Sequence, residues 1–195
     1  MTKIAALFLL FTTLALAEPA DRTGPYIAIG GGYAVFDDDD RMQAEQIDPS
    51  FNINIIGGAF INKYLSVELC VDYYETFTNE TNINSTGIYF YDAAVKAHYP
   101  FWKERIDLYA AFGAGGIAWK ENLNGVSRNN SSSATRGDVG IGFRALEWLT
   151  FNVGFRRYFF TLDHDTGIID PDNNIIYERY NMQVSSGYAN IEVQF

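Results

Sequence analysis

The chain has one cysteine, Cys70, in 195 residues, so no internal disulfide can form. Without staples it must be held by its backbone ladder and its packing. The lone thiol reads as a small buried residue, with an intermolecular bridge or reactive thiol as the other reading. Base is scarce too: 14 Lys and Arg stand against 24 Asp and Glu, a formal charge of −10. That deficit argues against nucleic acid as a partner. Histidine is almost absent, with only His98 and His164. Past the first 17 residues no apolar run approaches the ~20 residues of a spanning helix. The nearest, 108–119, is short and glycine-rich.

What is present starts at the N-terminus. Residues 1–17, "MTKIAALFLLFTTLALA", carry Lys3, an apolar run over 4–16 and a small-x-small finish at Ala15, Leu16 and Ala17. This is the pattern of a cleaved secretory signal peptide, leaving 18–195 as one domain. A membrane anchor is the other reading, and the run is short for one.

The remainder alternates. In 26–36, Ile27, Ile29, Tyr33 and Val35 oppose Ala28, Gly30, Gly32 and Ala34. A period of two marks a strand with two different faces. It recurs over 51–61, 65–74, 89–99, 106–119, 137–146, 149–159 and from 181 to the C-terminus, predicting eight strands. In the fifth the apolar face is assigned to Leu108, Ala110, Phe112 and Ala114. Each stretch is close to the ~9–11 residues that cross a bilayer at a tilt. Connections at 62–64, 100–105 and 146–148 are tight, and those at 37–50, 75–88, 120–136 and 161–180 are long and polar. Short turns on one side and long loops on the other predict an all-β, closed, eight-stranded antiparallel transmembrane barrel, with periplasmic turns and extracellular loops.

Period alone does not separate this from a soluble barrel with apolar rows inward. Three features favour the inverted arrangement. The row opposite the apolar one holds Gly30, Gly32, Gly113, Gly115, Gly140, Gly142 and Gly154. An eight-stranded lumen is narrow, and small residues leave room there for long charged ones. That same row carries acids and bases together. Counting along the strands puts Glu68, Lys96, Arg144 and Glu192 low and Asp72, Asp92, Asp138 and Arg156 higher, a lumen charge network with Glu68 and Lys96 its best single pair. Aromatics fall in two belts, Tyr64, Phe101, Trp102 and Trp148 by the turns and Tyr33, Phe36, Tyr73, Phe77, Tyr89, Trp119 and Phe159 towards the loops. Arg157 has the outward phase near the loop end, where a cation snorkels to the headgroups and meets a lipid phosphate.

With "PYIAIGGGY", "LSVELCVDYY", "DLYAAFGAG" and the terminal "IEVQF", the chain resembles the OmpA/OmpX-like small outer-membrane β-barrels of Gram-negative bacteria. The resemblance implies location in the outer membrane, among its lipid and lipopolysaccharide. It also implies that Ile191, Val193 and Phe195 serve as the insertion signal read by the barrel-assembly machinery.

Other motifs dissolve. "GAGGIA" at 113–118 is not followed by the helix a dinucleotide site needs. "DDDD" at 37–40 lacks the glycine and closing Glu of an EF-hand loop and reads as a solvated acidic loop. The acceptor patterns at Asn79 and Asn84 are polar loop residues in such a membrane. A Ser-His-acid site needs a histidine poised by a partner. His98 points inward and low, His164 lies between Asp163 and Asp165, and no serine has an obvious claim on either. The His-Ser signature of lipid A deacylases is missing. No catalytic residue, cofactor or metal site is therefore expected. The expected role is structural or adhesin-like, through loops meeting an unidentified extracellular ligand. A narrow porin-like channel and a lipid A-modifying enzyme are the alternatives.

Overall fold

A computed structural model describes residues 22–37, 49–75, 84–123, 126–169 and 175–195. The signal-peptide residues, Phe77, Asn79 and the acidic run beyond Asp37 lie outside them. Eight strands follow in order: β1 (Gly24–Asp37), β2 (Ser50–Asn62), β3 (Leu65–Tyr74), β4 (Asn84–Phe101), β5 (Ile106–Leu123), β6 (Val126–Leu146), β7 (Leu149–Ile169) and β8 (Ile175–Gln194). Each pairs antiparallel with its neighbour, and β1 pairs with β8, so the sheet closes into a barrel. Closure leaves the sheet no open edge, the condition for it to stand in hydrocarbon.

The polarity is inverted. Ile53, Leu69 and Phe151 are 55%, 67% and 44% exposed on the outer wall, while Glu68 and Arg144 are each 3% exposed within. Leu108 and Phe112 also face out, so the fifth strand has the assigned phase. Tyr64, Phe101, Trp102 and Trp148 are exposed beside the turns, and Tyr33, Tyr89 and Phe159 are exposed towards the loops.

Two expectations need correction. Phe36 and Trp119 do not belong to the outer belt; they pack against a buried cluster inside the barrel. The connections at 120–136 and 161–180 are mostly strand, because β5 and β6 run on to Leu123 and Val126 and β7 and β8 to Ile169 and Ile175. A strand alternates in sequence only where its two faces meet different surroundings. Above the bilayer both faces meet water, the period vanishes, and Ser-, Asn- and Thr-rich strand reads as loop. The turn between β4 and β5 places Trp102, Lys103 and Glu104 at φ 48°, 55° and 59°. These are left-handed conformations that cost non-glycine residues about 1–2 kcal/mol each. Beside this turn Lys63 Nζ lies 2.9 Å from Glu104 Oε1, joining it to the β2–β3 turn. That hydrogen bond and the carboxylate charge raise the Lys63 pKa above its ordinary value.

Candidate functional site

The lumen holds the polar chemistry, in three storeys. At the centre, Arg156 on β7 reaches Asp72 on β3 through Nη1 (2.6 Å) and Asp138 on β6 through Nη2 (2.9 Å). Arg136 on β6 pairs with Glu68 and sets its Nε 3.4 Å from Asp92 Oδ1. Lys96 Nζ lies 3.6 Å from Glu68 Oε2. All of these side chains are buried. Tyrosines complete the shell. Tyr26 donates to Glu68 (2.9 Å), Tyr188 to Asp138 (2.7 Å), and the Tyr158 hydroxyl sits 2.5 Å from Asp72 and 3.0 Å from Asp92. The guanidinium of Arg156 also lies over the Tyr188 ring at 4.6 Å, and Lys96 over Tyr109 at 4.2 Å. Charges at this depth are tolerated because each has an opposite charge, and the four carboxylates also accept tyrosine hydrogen bonds.

The eight residues expected as a charge network are placed unequally. Glu68, Asp72, Asp92, Lys96, Asp138 and Arg156 belong to the central storey. Glu192 lies lower, 3.9 Å from Arg22 Nη2 and accepting from Asn152 Nδ2 at 3.3 Å. Arg144 grips the β6–β7 turn, donating from Nε and Nη2 to the Glu147 carbonyl at 3.2 and 2.7 Å. Arg136, a hub of the storey, was expected in a loop, because the polar run before it hid the start of the alternation. Inward glycines make room for tyrosines at some positions and for the neighbouring strand at others: a Cβ on Gly58 would stand 2.4 Å from the Tyr26 ring and one on Gly140 would stand 2.3 Å from the Tyr109 hydroxyl, whereas one on Gly30 would stand 2.1 Å from the Ala189 carbonyl oxygen.

Towards the loops the lumen turns apolar. Phe90 stacks on Tyr158 with centroids 4.0 Å apart and planes 14° apart, and meets Phe160 and Tyr74 edge-on. Ile88, Ile117, Met182 and Val184 fill the remainder. Closure of the lumen is therefore part ionic and part aromatic, where ion pairs alone were expected.

The lowest storey corrects the reading of His98. Ser66 Oγ lies 2.9 Å from His98 Nε2, and His98 Nδ1 lies 2.6 Å from Asp107 Oδ2. The serine with a claim on this histidine is the register partner of Lys96, the residue two before His98 on β4. Alternation puts Ser66, His98 and Asp107 all inward, but only the register of three strands brings them together. Arg22, ahead of β1, pairs with Asp107 and donates to Thr150 Oγ1 (3.3 Å). His164 lies on β7.

At the C-terminus Phe195 stands 73% exposed on the outer wall below Ile191, which is also exposed; Val193 is half-buried. The Phe195 backbone N–H donates to Pro25 O at 3.0 Å. Arg157 is half-buried, with Nε donating to Ser185 Oγ at 2.8 Å and its guanidinium 5.6 Å from the Phe155 ring.

An inverted, closed, eight-stranded barrel with short turns at one end defines a small outer-membrane β-barrel. Residues 4–189 match the outer membrane protein beta-barrel domain family, and the chain belongs to that family. Membership places it in the outer membrane. Among solved structures, the Neisserial surface protein A is similar with a TM-score of 0.68 at 14% identity, over 88% of this chain and 97% of that one. OprG of Pseudomonas aeruginosa follows at TM-score 0.53 and 10% identity (91% and 99% covered). The attachment invasion locus protein Ail of Yersinia pestis is similar at 0.51 and 14% (86% and 99%). At these identities the likeness is one of fold. No curated protein sequence matches the chain.

Proposed function

We propose that this barrel works at the cell surface, as a structural and adhesin-like protein whose extracellular loops meet the ligand while its lumen stays shut. The observation that carries this is the fully buried pair Arg136 and Arg156, each bridging carboxylates on two different strands, under the Phe90 and Tyr158 stack. A closed lumen leaves the loop end as the working surface. Names among the similar folds, a surface protein and an attachment invasion protein, agree with such a role. In this closed form no enzymatic role is assigned, since Ser66 is fully buried. Residues 1–17 direct export, and Ile191, Val193 and Phe195 present the terminal assembly signal. Arg157, held by Ser185 beside Phe155, meets a lipid or lipopolysaccharide phosphate.

Planar-bilayer recording of the refolded barrel tests the closed lumen: no steady channels are expected, and steady unitary conductance overturns it. Cell-binding assays on bacteria displaying the barrel, with residues 76–83 replaced by a short Gly-Ser linker, test the surface role. Unchanged binding by this and every other loop replacement overturns that part.

A further inference from the structure

We propose that the periplasm-side storey is a latent acyl-transfer site, with Ser66 as nucleophile, His98 as base and Asp107 as the carboxylate that orients it, kept shut by Arg22. The two hydrogen bonds, 2.9 Å from Ser66 Oγ to His98 Nε2 and 2.6 Å from His98 Nδ1 to Asp107, are those a nucleophile-base-carboxylate relay requires. With Nδ1–H donated to the carboxylate, Nε2 is left to accept the serine proton.

The site lies next to the mouth. Ser66 is the first inward residue of β3, directly after the β2–β3 turn. Arg22 covers it. Its guanidinium pairs with Asp107, lies 4.8 Å over the Phe60 ring, and Phe60 in turn stands 5.0 Å from the His98 ring. Arg22 precedes β1 and belongs to no strand pair, so it can withdraw without breaking the barrel ladder. Withdrawal also frees Asp107 to act on His98 alone.

The substrate class is a small ester entering from the periplasmic side. Ser66 Oγ bonds to the acyl carbon as its proton passes to His98 Nε2. The bond to the alkoxide breaks, and the alkoxide leaves with that proton. Water, deprotonated by the same nitrogen, then hydrolyses the acyl-serine, releasing the acid and restoring Ser66.

The test uses the whole mature barrel, refolded in detergent and checked by heat-modifiable migration. Wild type, Arg22→Ala and Arg22→Met are treated with ethyl fluorophosphonate, which forms a Ser Oγ–P bond with loss of fluoride, and intact and peptide masses are followed. Ser66 is expected to label at least tenfold faster in the Arg22 variants than in wild type. In the Arg22→Ala background, Ser66→Ala removes the label and His98→Gln slows it at least a hundredfold. Asp107 is a positioning residue: Asp107→Asn shifts the pH profile of labelling and Asp107→Glu restores it. Folded Arg22 variants that label no faster than wild type, or label elsewhere, overturn the proposal. Should neither variant close into a barrel, prolonged treatment of wild type decides: slow modification of Ser66 supports the site, and none overturns it.

Discussion

Arg156 and Asp72 sit on opposite walls, four strands apart whichever way the barrel is followed, and meet across its axis at 2.6 Å. An ion pair that spans the lumen ties the two half-walls together as no neighbouring-strand pair can. It also leaves each member without water should the other be lost. Replacing one member of a buried pair costs about 3–5 kcal/mol, because the remaining charge has no partner. Arg156→Met should lower barrel stability by that order, and Asp72→Leu by less, because Arg156 keeps Asp138. The double variant should recover only part of the loss, since Asp138 is left with Tyr188 alone. Urea unfolding midpoints in a fixed detergent, read as a double-mutant cycle, check this.

Gly58 and Tyr26 are register partners on β2 and β1, and the ring occupies the space a side chain on Gly58 would take. Gly58→Ala therefore overpacks the lumen and should cost about 1–3 kcal/mol. Tyr26→Leu alone should also destabilise, by exposing the donor gap at Glu68. Combined, the two should cost less than their sum, since the smaller side chain frees the room alanine needs. Strict additivity in the unfolding cycle would show that the close approach is not the reason for the glycine.

How far such features were readable in the chain depends on whether one strand or several define them. Strand faces needed only alternation, so Ile53, Leu69 and Phe151 outside and Glu68, Asp72 and Arg156 inside could be assigned from period. Ser66, His98 and Asp107 each had readable phases, yet their meeting depends on the stagger of β3, β4 and β5, which no local pattern encodes. Arg136 was hidden differently. It follows "NNSSSAT", where polar residues on both faces erase the period, so the strand seemed to begin after it. Phe36 and Trp119 were misplaced because aromatic type suggested a membrane belt, while parity had already turned both inward.

Phe90 carries the apolar closure. It stacks on Tyr158 and touches Phe160 and Tyr74 edge-on. Phe90→Ala should cost about 3–5 kcal/mol in unfolding, the range for a large aromatic lost from a packed core. It should not open a channel by itself, because Arg136 and Arg156 still block the axis below. Single-channel recording of Phe90→Ala should stay silent. Recording of Phe90→Ala combined with Arg156→Met should show brief, small openings. Openings in Phe90→Ala alone would place the whole barrier in the aromatic storey.

Phe195 offers a test that separates assembly from stability. Its side chain lies on the outer wall, mostly exposed, while its backbone N–H is tied to Pro25 O. Phe195→Ala keeps that hydrogen bond and removes only lipid-facing surface at the rim. Refolding into lipid vesicles should therefore lose no more than the ~1.5–3 kcal/mol of one apolar side chain and still give a closed barrel. In cells, if the terminal side chains at Ile191, Val193 and Phe195 are what the assembly machinery grips, the same substitution should lower the amount of folded barrel several-fold. Quantifying heat-modifiable protein in outer-membrane fractions beside vesicle unfolding midpoints gives both numbers. Parallel losses in the two assays would make Phe195 a structural residue; a loss in cells alone marks it as the signal.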